Sequence, residues 1–292
     1  MIEMGVYSVI GYAIAFVLEL SRFFFRGAVR NFFAVIFVLI GFAVHTIFLY
    51  YRHVAATGNI NGAETYFFMT AWGLVLVYLY LICYHRGIPF GLFFLPIVLF
   101  AMVCGGVISY ITPNEPTAGL VVCNPPFLKM FHAITFFAAT LSISIGFVAG
   151  LLYLFQDWRL RHKRPTGTLL KLPTIEWSAS LCRKALGAST FILASSIFCG
   201  CMLQPHLQSP NFVMLFDPLV IGTVVTFVFL FVFSGILPLR IFRSEGKQLA
   251  MLTLIAFVFL VVTLIFGILS KEAHWKRISL HSRQEQICQN VF

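Results

Sequence analysis

Charge is what this sequence lacks. Of 292 residues only 10% are Asp, Glu, Lys or Arg, far below what a soluble domain needs to cover its surface. Carboxylates are the scarcer sign, ten against twenty Lys and Arg. No carboxylate–histidine cluster is present that would favour a non-heme metal. Also missing are a Walker loop, a dinucleotide-binding glycine fingerprint and the HExxH helix of zinc proteases. No internal repeat is convincing, which argues against an inverted-repeat transporter. The twenty basic residues leave a net charge of +10, yet they are spread over several loops. That distribution is no nucleic-acid reading surface, and anionic lipid headgroups account for it.

What is abundant is apolar surface. Hydrophobic residues make up 60% of the chain, with thirty-four Phe and a mean hydropathy of +0.94. One aqueous core cannot hide so many rings, so membrane lipid is the solvent that fits. A bilayer-crossing helix needs about 20 mostly apolar residues. The chain offers eight such runs, at 6–25, 32–51, 66–84, 90–111, 131–155, 186–203, 218–239 and 249–269. Pro, Gly, Asn or charges punctuate the gaps. The first run is too long for a signal peptide and has no convincing small-residue cleavage site; we read it as a retained helix. The expected fold is therefore all-α, a polytopic bundle of about eight transmembrane helices forming one integral membrane domain over 1–292.

The basic residues set the expected orientation. With the N-terminus outside, fourteen of the twenty Lys and Arg fall in inner loops, among them Arg22, Arg26, Arg30 and the run from Arg159 to Lys184. The three outer loops carry Arg52 and Lys129 alone, and four more follow the last helix. Basic loops stay in the cytoplasm, so both termini are expected outside, in a multi-pass protein of the inner (cytoplasmic) membrane.

Ionisable groups inside lipid are costly and by default mark a cavity or a partner. His45 lies in the outer half of the second run, His132 at the outer start of the fifth, His206 in the outer loop after the sixth, and His274 and His281 beyond the eighth. A single histidine at such a place is more often an interfacial hydrogen-bonding residue. A group of them at one level can ligate a porphyrin iron between helices. Phe131, Phe136, Phe137, Phe212 and Phe216 would suit a porphyrin face, and suit lipid equally. Cys199 and Cys201 flank Gly200 at the outer end of the sixth run. Three readings stay open for them: a disulfide with Cys123, a redox or metal pair, and plain apolar packing.

The segment HAITFFAATLSISIGF beginning at His132 resembles the histidine-led helix of the cytochrome c assembly proteins, the CcsA/CcmC-type superfamily with its HemX-like or YpjD-like branch. YLFQDWRLRHKRP from Tyr153 and LPTIE from Leu172 to Glu176 are similar to the basic inner loop of the HemX-like branch. HTIFLYYR from His45, then Gly58 and Glu64 to Trp72, resemble the family's second helix and following loop. The likeness is strongest over 132–176 and covers nearly the whole chain. It implies binding of heme and its presentation at the outer face for attachment to apocytochrome c, beside a second assembly membrane protein. The role is coordination and presentation rather than enzymatic turnover. The resemblance makes His132 and His274 axial ligands of heme iron, with His281 the other candidate for the second, and His45 a histidine within the membrane. The family's heme-handling branch carries a Trp-rich motif before its seventh helix. Here that stretch ends in Phe216, Asp217 and Pro218; the Asp-Pro is present and the tryptophans are not. Phe216 keeps a stacking face without an indole N–H, while Asp217-Pro218 also reads as a plain helix start. The missing tryptophans and the long basic loop favour a second reading, a HemX-like regulator of glutamyl-tRNA reductase, the first tetrapyrrole-synthesis enzyme. A small-solute transporter ranks last, because the inner halves of the runs are poor in polar residues.

Overall fold

In a computed structural model the described residues are 2–23, 28–55, 63–84, 88–111, 126–162, 172–203, 218–236 and 246–289, with side chains described within 3–22, 30–54, 64–84, 88–111, 127–162, 172–203, 218–234 and 246–267. Eight α-helices fill them: α1 (Ile2–Leu20), α2 (Ala28–Ala55), α3 (Ala63–Tyr84), α4 (Gly91–Ile111), α5 (Pro126–Arg161), α6 (Ile175–Leu203), α7 (Pro218–Ile236) and α8 (Gly246–Gln289). A single 3-10 turn, Ser21–Phe23, ends α1, and no strand occurs among the described residues. Seven helices are long and apolar enough to cross a bilayer; α7 contributes a shorter apolar stretch of 17 residues, Pro218–Ser234. The protein is a multi-pass membrane helical bundle.

Three helices outrun their apolar windows. α6 begins at Ile175, eleven residues before the expected run at 186, because its first turns are amphipathic rather than apolar. Ser178, Cys182, Ala185 and Leu186 bury one stripe, while Arg183 and Lys184 stay exposed on the other face. Thr174 supplies the start signal: its Oγ1 accepts from the Trp177 amide at 3.3 Å, an N-cap contact of the usual kind. α5 likewise extends to Arg161, its last turn held by the Asp157–Arg161 pair at 2.9 Å. α8 continues for 44 residues, carrying His274 and His281 on a helix rather than on a tail.

Consecutive helices run antiparallel, so one end gathers the basic residues. There, the start of α4 meets the end of α5 through Phe93 and Phe155. Phe90 packs on Trp177 at the start of α6, and Gln156 Nε2 donates to the Pro173 carbonyl. At the opposite end Arg52 of α2 pairs with Glu64 of α3, and its guanidinium lies 5.3 Å over the Phe68 ring. Two cores result. One is built from α1–α4 around Tyr12, Leu74, Tyr78 and Phe94; the other is mostly α5–α8, around Leu186, Leu193, Leu249 and Leu260. α3 and α5 join them, with Val148 and Leu152 of α5 reaching into the first core and Phe67 of α3 into the second.

Lipid gives helices no hydrophobic reason to associate, so they meet where small residues let backbones approach. At the α1–α2 crossing a Cβ on Gly11 would stand 3.1 Å from the Gly41 Cα. At α5–α8 a Cβ on Gly150 would stand 2.7 Å from Leu254 Cδ1 and 2.9 Å from the Ala250 carbonyl oxygen. A backbone oxygen cannot swing aside. Gly150→Ala is therefore expected to cost about 1–3 kcal/mol by overpacking. Gly187→Ala on α6, where nothing lies within 4 Å, should stay within about 0.5 kcal/mol or gain from better helix propensity. Unfolding of both variants in mixed detergent–SDS micelles reads the difference, and equal losses would show that the Gly150 contact is not what closes α5 on α8.

Candidate functional site

Among the described residues, two histidines make polar contacts between helices. His45 sits in α2 with no exposed surface, and so does Tyr12 of α1. The Tyr12 hydroxyl and His45 Nδ1 are 3.2 Å apart, the rings meet edge-on, and Phe48 leans on the imidazole from one turn later. The other ring nitrogen, Nε2, is buried without a hydrogen-bond partner. An unmatched nitrogen in a dry interior is costly, which makes this the place in α1–α2 where a further donor, acceptor or ligand would be stabilised most.

His132 is held differently. It lies in the second turn of α5, partly buried, with Nδ1 2.7 Å from the Ser196 carbonyl of α6 and 3.3 Å from the Ser196 hydroxyl. A carbonyl oxygen only accepts, so Nδ1 must carry the proton, and the lone pair of the neutral ring falls on Nε2. That tautomer is the one in which a histidine ligates a metal through Nε2 while its other nitrogen donates to a backbone carbonyl. Gly200 makes the position possible: a Cβ there would stand 3.2 Å from the His132 Cε1. Phe136 stacks one turn along and carries the contact to Tyr66 of α3.

The structure does not bring these two histidines to one site. His45 reaches α3 through Phe48 and Phe68, whereas His132 reaches it through Phe136 and Tyr66. Residues 66 and 68 are about 200° apart on a helix, so the imidazoles approach α3 from opposite sides. His274 lies seven residues beyond Gly267, where the last apolar window ends, roughly 10 Å further along the axis. The side chains of His274 and His281 lie outside the described residues, as do Phe216, Asp217, His206, Phe212 and Cys123. Cys199 is buried, Cys201 is exposed, and both are free thiols; Cys123, the partner in the disulfide reading, falls outside the described residues.

Among the described residues no three His, Cys, Asp or Glu side chains converge as a metal site would require. A porphyrin asks less of the protein, since it brings four nitrogens of its own and needs one or two axial ligands. The donor chemistry of His132 fits that demand. A crevice of about 30 Å³ between the two cores, lined by Tyr66, Thr70, Phe100, Thr140, Phe257 and Leu264, has room for roughly one water and does not fit a tetrapyrrole. Comparison with family models, curated proteins and solved structures finds nothing that matches this chain.

Sequence reading found His45 and His132 but not Tyr12 or Ser196, their partners. A hydroxyl in the middle of an apolar run was the available signal for Tyr12; for Ser196, whose contribution is a backbone carbonyl, none existed. Tyr12→Phe keeps the ring and leaves both His45 nitrogens unpaired, and should cost about 0.6–1.7 kcal/mol, from the average to the largest value measured for interhelical hydrogen bonds in a membrane protein. In a double-mutant cycle with His45→Leu the two losses should couple by a similar amount in SDS unfolding. Strict additivity would mean that the Tyr12–His45 bond does not hold α1 to α2.

Proposed function

We propose that this protein binds heme at the outer face of the inner membrane and presents it for attachment to apocytochrome c, acting by coordination rather than turnover. The observation carrying this reading is the His132 ring, whose Nδ1 donates to the Ser196 carbonyl and whose Nε2 therefore carries a ligand lone pair. The likeness of the His132-led helix and the LPTIE run to cytochrome c assembly proteins supports it independently. His132 is the first axial ligand in this reading and His274 or His281 the second, with Phe216 and Asp217 beside them. Heme supplies the iron that both imidazoles recognise. The chain's own contribution is to fix one tautomer, orient the ring across the α5–α6 contact, and hold the site at the end poor in cations. His45, fully enclosed on the other side of α3, serves the bundle and stays a separate candidate. A second assembly protein of the membrane is the expected partner.

The orientation belongs to the same proposal. Basic side chains gather at the end where α3 finishes and α6 begins, so that end faces the cytoplasm. Cys83 is exposed near it and Cys201 near the other. A membrane-impermeant thiol reagent added to intact cells is expected to modify Cys201 and spare Cys83; the reverse pattern would invert the topology and place His132 inside.

The heme reading is tested by the absorption spectrum of protein purified from cells making heme. A Soret band is expected that falls about tenfold or more in His132→Ala and persists in His162→Ala. His162 also places Nδ1 on a carbonyl, that of Trp158 at 2.8 Å, but at the basic end. A colourless wild type that hemin cannot reconstitute would sink heme handling. The absence of tryptophan from 212–218 favours the regulator of glutamyl-tRNA reductase in that case, read out as a change in that enzyme's abundance on deletion.

A further inference from the structure

Among the described residues four buried side-chain polar atoms lack a hydrogen-bond partner, and three of them meet at the basic end: Glu19 Oε2, Arg22 Nε and the Tyr78 hydroxyl. Glu19 lies in the last turn of α1 and Arg22 in the 3-10 turn that follows. Tyr78 of α3 is fully enclosed, while Glu19 and Arg22 are 5% and 8% exposed. Arg22 Nε stands 3.4 Å from Glu19 Oε2, a charge contact without a hydrogen bond. Another corner of the same guanidinium is already engaged, its Nη2 donating to Asn31 Oδ1 at 3.0 Å. Gly91, the first residue of α4, completes the place. A Cβ there would stand 2.8 Å from Glu19 Cγ and 2.9 Å from the Tyr78 oxygen. A methyl group would fill the gap between carboxylate and phenol, and glycine keeps that gap open.

A buried donor or acceptor left unpaired forfeits the hydrogen bond that water gave it in the unfolded chain. Three at one corner point to a partner that satisfies them together. Their chemistry narrows what it is. Arg22 Nε only donates, a carboxylate oxygen only accepts, and the Tyr78 hydroxyl does either. The partner must therefore accept one hydrogen bond and donate another. An anion would be repelled by Glu19 and a cation by Arg22, so it is neutral. A gap that a methyl group would fill admits nothing larger than water.

We propose that Glu19, Arg22 and Tyr78 form a binding site for one water molecule where the end of α1 meets α3 and the start of α4. It is separate from the His132 site and independent of whether heme is bound there. The water accepts from Arg22 Nε, donates to Glu19 Oε2 and makes its third hydrogen bond with the Tyr78 hydroxyl, the usual complement for a buried water. It links three helices at a level where α1 ends and α4 begins.

Hydroxyl-radical footprinting of the full-length protein in neutral detergent tests this. X-ray radiolysis splits a bound water where it sits, so a side chain beside it is hydroxylated even when bulk solvent cannot reach it. Tyr78 and Tyr12 are equally enclosed, and the Tyr12 hydroxyl already has His45 as its partner. Tyr78 is expected to be modified several-fold faster than Tyr12, and Gly91→Ala, which fills the gap, to bring the two rates together. Tyr78→Phe separates a wet corner from a dry one by sign. With water in place it removes a hydrogen bond and lowers the midpoint of unfolding in SDS. In a dry corner it removes a stranded hydroxyl and raises the midpoint. The wild-type labelling and Tyr78→Phe decide the matter if Gly91→Ala folds poorly. The proposal is overturned if Tyr78 labels no faster than Tyr12, if a folded Gly91→Ala keeps the wild-type rate at Tyr78, or if Tyr78→Phe raises the midpoint.

Discussion

Hydrocarbon offers no hydrogen bond, and most of this molecule follows from that. Every backbone N–H and C=O at membrane depth must be satisfied within the chain, so the spanning segments are helices. Many side-chain hydroxyls obey the same rule locally: Thr70, Thr140, Ser144 and Thr226 each donate to the carbonyl four residues earlier. A hydroxyl satisfied by its own helix asks nothing of a neighbour, which leaves the helix sides free to meet through shape. Gly11 on Gly41 and Gly150 on Ala250 are the result.

Against this background a polar contact between helices carries information. Tyr12–His45 ties α1 to α2, Arg52–Glu64 ties α2 to α3, and His132–Ser196 ties α5 to α6. The Glu19–Arg22–Asn31 group closes the α1–α2 corner. Three of these four lie near helix ends, where water and headgroups lower the cost of a charge. Tyr12–His45 is the exception, enclosed within the first core, and it is also the one with an unmatched ring nitrogen.

The apolar windows were legible because composition decides them: the spans expected at 32–51 and 66–84 lie inside α2 and α3, and the one at 90–111 matches α4 to within one residue. The true helix starts were less legible. Residues 175–185 contain Glu176, Arg183 and Lys184, so a window that counts apolar residues rejects them, although Cys182 and Ala185 bury a helical stripe. A span search reports where lipid could sit, whereas a helix continues wherever one face finds a neighbour. α8 shows the opposite end of the same effect, running on past Gly267 through residues that no bilayer would hold. Histidine positions were legible as well; their separation was not. Whether two imidazoles face each other depends on how α2 and α5 pack around α3, a relation between residues far apart in sequence that periodicity does not encode.

That separation decides how the histidines are ranked as ligands. His45 has the stronger claim by burial, since an orphaned nitrogen in a dry core is the costlier defect. Burial also works against it: Tyr12, Phe48 and the Gly11–Gly41 contact leave the ring enclosed by helices that touch backbone to backbone. A planar group the size of a porphyrin would have to separate α1 from α2 to reach Nε2. His132 gives up nothing comparable. Its protonated nitrogen is already satisfied by α6, its ring is partly exposed, and Phe127, Met130 and Phe131 before it present open apolar side chains. If heme is presented as proposed, a ring fixed at a helix end serves a ligand that must come and go better than one sealed in a core. Of the two rings, His132 is thus the more accessible to a ligand under the proposed reading, while His45 has its polar contact between α1 and α2.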